Sequence, residues 1–345
     1  MKFFPLFLPL ALAADQSAPS AGNLLLDHPP EVPAPELPRD YPLSAARIAL
    51  GQRLFFDDAL ASKKEVSCAF CHLPQEAFSD PSLQPWGVQP AHTTRRHSMP
   101  LFNLAWKKGP FRWDGEEPTL RGQMLRPIVD PIEMGENLAT LPAKLAAREG
   151  YLAQFQAAFG DQEITPERLA IALEQYVLTL TSFDSRYDQA QRGGDELTAL
   201  EKRGESLFFT SPTEGGAGCA RCHPAPFFTD HGFHNNGLPL RKSDHGREEV
   251  TGEARDRGKF ATPSLRNIAV TASYMHDGRF ATLAEVVAHY ATAKEESPSL
   301  PKDLRELRLD QEEQAVLVAF LETLSDPQFA EPSEPDPREV DPFDY

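Results

Sequence analysis

The four cysteines of this chain form two copies of one arrangement: Cys68 and Cys71 in "CAFCH", Cys219 and Cys222 in "CARCH". Each CxxC pair is followed at once by a histidine, His72 or His223. Thiols at this spacing lie on one turn of helix, where both can add across the vinyl groups of a haem. The adjacent imidazole then reaches the iron from the proximal side, so CxxCH is the attachment motif of c-type haem. Other uses of CxxC fit less well. Two pairs about 150 residues apart make a poor zinc ribbon. A redox dithiol or a structural disulfide has no reason to carry histidine next, twice, with no cysteine left over. The motifs therefore predict two covalent haems, with His72 and His223 as proximal ligands.

The elements that hold these motifs are also duplicated. "ARIALGQRLFFDD" precedes Cys68 and "ALEKRGESLFFTS" precedes Cys219, each with helical periodicity and a Leu-Phe-Phe end. Between them, "EEPTLRGQMLRPI", "LPAKLAAREGYLAQFQAAFG" and "TPERLAIALEQYVLTL" read as helices, the last opened by Thr165, Pro166 and Glu167. Strand signals are scarce, so the expected fold is mainly α, in two related units that each hold one haem. The first unit is expected over residues 23–190 and the second over 195–326, with a linker from Ser185 to Glu196. The segment 327–345, rich in acids and prolines, reads as an extended tail whose role is solubility.

Composition narrows the partners. The formal net charge of −17 argues against nucleic acid and anionic membranes, and would steer a basic protein towards the chain. Residues 1–14 read as an export signal: Lys2, an apolar run from Phe3 to Leu12, then small residues. That run is too short to span a bilayer and is interrupted by Pro5 and Pro9. Export would place the mature chain in the periplasm, where c-type haem is attached.

Beyond the haem motifs, "RRHSMPLFNLAW", "FRWDGEEPTLRGQMLRPIVDPIEMGEN", "FFTDHGFHNNGLP" and "DRGKFATPSLRNIAVTASYMHDGRFATL" occur in fixed order. Together with the two CxxCH motifs, from about Leu43 to Leu324, they resemble the bacterial di-haem cytochrome c peroxidase/MauG family. The resemblance implies two cytochrome-c-like domains with their haems facing the interface. It also implies hydrogen peroxide as oxidant and a protein or small-molecule electron donor, such as a basic cytochrome c or cupredoxin.

Site residues follow from the same resemblance. Glu133 matches the distal carboxylate that moves a proton between the peroxide oxygens, and Gln123 and Pro127 line its pocket. Trp113 matches the tryptophan between the haems; Trp86 and Trp106 have no counterpart and read as core. One calcium ion is implied between the domains, held by the Asn103 side chain and the carbonyls of Thr271 and Ser273. Ser273 departs from the usual proline there, which a backbone ligand tolerates.

Two positions set the branch of the family. Peroxidases that need reductive activation block the first haem with a histidine eight residues before the "FN" asparagine; here that residue is Arg95. An open, five-coordinate first haem is the simpler reading, with His92 or His97 as a shifted ligand the alternative. The second haem of these peroxidases takes a methionine seven residues after the "TL" leucine, and here Leu283 leads to Tyr290. MauG and its nearer relatives carry tyrosine at this place. Met275 and His289 remain alternatives, although His289 should point about 100° from Tyr290 on a helix. A phenolate favours higher oxidation states where a thioether favours ferrous iron.

One feature separates this chain from MauG itself, which has a surface tryptophan two residues before the first cysteine of its second motif; here Ala217 stands there. The expected activity is thus a MauG-like oxidation by hydrogen peroxide of a protein or small reductant. A conventional cytochrome c peroxidase is the alternative, and a non-catalytic di-haem electron carrier a third. His276 and Arg266 read as buried hydrogen-bonding or propionate-contacting residues, and His231, His234 and His245 as structural or exposed.

Overall fold

In a computed structural model, residues 26, 28–89, 92–292 and 297–330 are described. The expected export signal and all of the tail beyond residue 330 lie outside them. The chain is mainly helical, with a single two-stranded antiparallel sheet among the described residues: β1 (Phe233–His234) paired with β2 (Phe260–Ala261). The longer helices are α1 (Ala45–Phe56), α2 (Tyr151–Phe159), α3 (Pro166–Leu178), α4 (Ala199–Phe209), α5 (Leu283–Ala291) and α6 (Gln311–Glu322).

Their ends follow from local chemistry. Thr165 accepts a hydrogen bond from the Arg168 N–H at the start of α3, with Pro166 in its first turn. Thr282–Glu285 and Thr198–Glu201 form reciprocal capping boxes at the starts of α5 and α4. The apolar stretch at 141–160 is two helices, because Gly150 (φ +83°) breaks it before α2. "EEPTLRGQMLRPI" likewise forms two single turns, Leu120–Gln123 and Arg126–Val129.

Two hydrophobic cores result. The first packs α1 against α3 and gathers Leu50, Leu54, Phe55, Phe155, Leu173 and Val177. The second packs α4 against α6 around Phe208, Phe228, Phe320 and Leu321. The repeat extends to the helix crossings. Gly51 and Gly204 each stand three residues before the Leu-Phe-Phe end of their helix, and each lies directly on partner backbone, at Ala172 of α3 and Val316 of α6. A Cβ fits neither place. Gly51→Ala and Gly204→Ala should each cost about 1–3 kcal/mol by forcing the helices apart, read as a lower denaturation midpoint at unchanged m-value.

The segment expected as a linker is structured. Ser185 caps a short helix, Arg186–Gln191, whose Tyr187 belongs to the second core. From the same helix, Asp188 takes a bidentate pair from Arg266 at 2.6 and 2.8 Å, and Arg266 is only 1% exposed. Burial pushes the Asp188 carboxyl up, but the Arg266 hydrogen bonds and charge, with Ser185, bring it below the ordinary range. Asp188→Ala should therefore cost about 3–5 kcal/mol, by leaving the Arg266 charge buried and unpaired. In the parent, this carboxyl's contribution is present at neutral pH and is lost as pH falls through its depressed pKa; urea titrations at pH 7 and in acid would show it. Phe329, after the last long helix, returns to the first core.

Candidate functional site

The first CxxCH motif forms one helical turn, Cys68–Cys71, and His72 ends it by donating its backbone N–H to the Cys68 carbonyl (3.0 Å). The chain then folds back so that His72 Nδ1 lies 2.9 Å from the Phe78 carbonyl. A carbonyl can only accept, so Nδ1 carries the proton and Nε2 is left free for a metal. The second motif repeats the device: His223 Nδ1 lies 3.0 Å from the Phe228 carbonyl. Phe78 and Phe228 both take the left-handed conformation that aims these carbonyls, at φ +58° and +52°. Burial pulls both imidazoles below their ordinary pKa, which keeps them neutral and able to ligate. Burial also pushes the Cys68 and Cys219 thiols up to about 12, the opposite of what a redox dithiol requires.

A cavity of about 510 Å³ opens over the first motif. Cys68, Cys71 and His72 line it, and so do Gln123, Pro127 and Glu133, from another part of the chain. The Asp130 carboxylate sets the loop that carries Glu133 by accepting from the N–H groups of Ile132 (2.8 Å) and Glu133 (3.3 Å). The loop is backed by Val88, whose N–H donates to the Glu133 carbonyl at 2.9 Å, and by Gly87, which has no room for a Cβ there. Burial raises the Glu133 carboxyl above its ordinary range; Arg112 opposes the shift, with Nη2 3.5 Å from Oε1.

Two further features fit a haem in this cavity. Gln123 Oε1 is buried with no hydrogen-bond partner among the described residues, and so suits a bound water or ligand. Lys107, also on the wall, pairs with no carboxylate among the described residues, and burial lowers its pKa to about 8. A haem propionate would supply an anion for this half-buried cation.

Trp113 is buried where the two units meet. Its indole N–H donates to the His97 carbonyl (2.8 Å), and its own carbonyl accepts from Ala261 of β2 (2.7 Å). His97 turns its Nε2 to the Asp80 carbonyl at 2.6 Å. His92 is exposed. Arg95 reaches across to the second unit, with both terminal guanidinium nitrogens on the Glu249 carboxylate (2.7 and 2.5 Å). Arg96 likewise forks Asp244 (2.9 and 2.8 Å) and also pairs with Asp114 at 2.6 Å. The loop from Arg95 to Arg96 is thus held to the second unit by two arginine forks.

Over the second motif, Tyr290 on α5 lies within electrostatic reach of Cys219 and Cys222 and is hydrogen-bonded by the Asn236 side chain. Burial pushes its phenol up to about 12, with Asn236 opposing, so only a bound cation would make it a phenolate near neutrality. The same Asn236 amide donates to Met275 Sδ at 3.3 Å, while His289 Nε2 is turned to the Asn236 carbonyl at 2.9 Å. Asn103, Thr271 and Ser273 are buried, and the Asn103 amide is bonded at both ends to the Ser182 backbone (3.0 and 2.9 Å).

Sequence reasoning missed three things and misread a fourth. The carbonyls behind His72 and His223 had a signal, since Phe-Ser-Asp and Phe-Thr-Asp recur after the two motifs. Lys107 and Arg112 had none. Trp86 is not a core residue: it is 43% exposed, although Trp106 does pack among Phe183 and Phe227.

Fold and site define a class, a mainly helical protein of two cytochrome-c-like domains, each built around a c-type haem site. A family model for di-haem cytochrome c peroxidase matches residues 45–196 and 199–329. The methylamine utilization protein MauG of Methylorubrum extorquens is 37% identical over 291 residues, covering 83% of this chain and 80% of that protein. Cytochrome c551 peroxidase of Nitrosomonas europaea is 30% identical over 303 residues, covering 82% and 81%. Among solved structures, a MauG-like protein associated with microbial copper homeostasis superposes with a TM-score of 0.80 at 33% identity, over 92% of this chain and 98% of that one. The chain belongs to the di-haem cytochrome c peroxidase family, and is an oxidoreductase with two haem sites. Among its described residues no helix is long and apolar enough to cross a membrane.

Proposed function

We propose that this protein is a periplasmic, MauG-like enzyme that uses hydrogen peroxide at an open first haem to oxidise a protein or small electron donor. The observation that carries the reading is the cavity over His72, in which Glu133 and Gln123 share the wall and His97 turns its Nε2 to the Asp80 carbonyl. Haem, when bound, supplies an iron that can hold peroxide and accept its oxidising equivalents. The chain's own residues do the rest. Glu133 would take a proton from one peroxide oxygen and return it to the other, which would leave as water. Its raised pKa brings it nearer the operating pH for both halves of that transfer. Gln123 and Pro127 bound the space in which peroxide sits, and the Phe78 carbonyl fixes the His72 ring. Trp113, hydrogen-bonded to the His97 carbonyl, would relay single electrons between the two sites once both haems are bound. Calcium belongs to the same reading: the Asn103 oxygen keeps a second lone pair for it, and the carbonyls of Thr271 and Ser273 would supply the other protein ligands.

Met275 supports a second reading. Its thioether shares Asn236 with Tyr290, so a His/Met second haem, as in a conventional cytochrome c peroxidase, is within reach of the same pocket. The two are separated by adding one equivalent of hydrogen peroxide to the resting ferric protein. A two-electron-oxidised state formed without prior reduction is the result expected of the MauG-like enzyme. Silence until one haem is reduced would transfer the assignment to the conventional peroxidase.

A further inference from the structure

Lys107 and His231 come from different units and lie within electrostatic reach of each other at the seam between them. Lys107 stands on the wall of the cavity over His72, with Nζ 5.3 Å from the centre of the Phe111 ring. The aromatic face offsets part of its charge, but no carboxylate does among the described residues. His231 follows the second motif, and its ring lies beside Phe227 with centroids 6.3 Å apart. Phe227 in turn meets Trp106, the residue before Lys107, at 5.7 Å. The His231 backbone takes the left-handed conformation, φ +54°, with its N–H donating to the Thr229 hydroxyl at 2.9 Å. His231 Nε2 is buried and has no hydrogen-bond partner among the described residues. The neighbouring Asp230 carboxylate is engaged by His234 at 2.7 Å. Burial, then the Lys107 charge, lowers the His231 pKa to about 4, Asp230 opposing, so the ring is neutral with one N–H to give. A cation without a carboxylate and a buried ring nitrogen without a partner lack the same thing, an anion.

We propose that Lys107 and His231 form one seat, built from both units, for a propionate of the first haem. The ammonium supplies the charge, and the His231 Nε2–H supplies a hydrogen bond from across the seam. The first haem is the one served because Lys107 lines its cavity. Both are positioning residues, since neither touches the reacting atoms. The assignment goes beyond the peroxide reading and does not rest on it, because a propionate has to be held whatever the iron does. A carboxylate bound by a cation and a donor sends less negative charge towards the iron, so the seat favours the ferrous state. The potential of the first haem thereby comes to depend on a residue of the second unit.

The test is a redox titration of the holoenzyme, followed by absorption, with no peroxide present. Glu133→Gln, on the wall of the first cavity, identifies the first haem's couple as the one it shifts. Lys107→Met should lower the midpoint of that couple by about tenfold in the one-electron equilibrium, which is ~59 mV. His231→Leu should lower the same couple and leave the second haem's couple in place. Lys107→Arg and His231→Gln, which keep a cation and an N–H, should hold the parental midpoint. The propionate bending band of the resonance Raman spectrum should move in Lys107→Met and in His231→Leu. A midpoint that moves without that band would put a free anion in the seat and overturn the assignment. A His231→Leu shift confined to the second haem's couple, or no shift in either variant, would overturn it as well. Pyridine haemochrome content reports whether each variant keeps two covalent haems. Where a truncated side chain prevents attachment, Lys107→Arg decides: its guanidinium changes the carboxylate's hydrogen bonds, so an unmoved Raman band there would also sink the seat.

Discussion

Tyr290→Phe is expected to remove the low-spin ferric signal of the second haem while both haems stay covalently attached. The phenol is partly buried on α5, within electrostatic reach of Cys219 and Cys222, where it would serve as the second ligand to an iron held by His223. Removing its oxygen leaves no donor from that position. His289, its neighbour, is occupied by the Asn236 carbonyl and does not replace it. Electron paramagnetic resonance of the resting protein should change from one high-spin and one low-spin haem to two high-spin haems. The variant should also fail to hold the two-electron-oxidised state, since an anionic ligand is what favours high oxidation states at this iron. A low-spin signal that survives in Tyr290→Phe and vanishes in Met275→Leu would assign the ligand to the thioether, whose sulfur shares Asn236 with the phenol.

Glu133→Gln should slow the reaction with hydrogen peroxide by about 10²–10⁴-fold, the usual worth of a positioned acid–base group. Glutamine keeps the shape and takes away the proton transfer, so resting spectra should be unchanged while stopped-flow rates fall. The parental rate should depend on pH in a defined sense. Burial raises the Glu133 pKa, and the ionised form must accept the first proton; the rate should fall as pH drops through a midpoint above the ordinary glutamate value of 4.5. Arg112 pulls that pKa down, so Arg112→Gln should move the midpoint to higher pH without abolishing the reaction. A pH profile that does not move in Arg112→Gln would remove Glu133 from the role of base.

The local signals in the sequence proved sufficient for some of this. Two CxxCH motifs prescribe covalent haem attachment because thiol spacing and an adjacent imidazole are set within a single helical turn. The duplicated Leu-Phe-Phe helices announced two units, and the glycine three residues before each such end was in plain view, although its use as a helix crossing was not. Capping at Thr165 and Thr282 was likewise legible, since a cap spans only a few residues.

Tertiary structure decided what depends on residues far apart in the chain. Arg95 meets Glu249 across 154 residues, and Arg266 meets Asp188 across 78; charge alone does not say which acid an arginine will find. The placement of Trp86 on the surface against Cys71 was likewise beyond periodicity, because the loop that carries it has none. The pKa of Glu133 also belongs to the folded state, since burial by one segment and the charge of another act on it together. The sequence by itself determined which cofactor this protein attaches and at which four thiols, because that chemistry is local. Which residues share the cavity over His72, and which acid each buried arginine meets, only the tertiary structure decided, because both depend on loops brought together from distant parts of the chain.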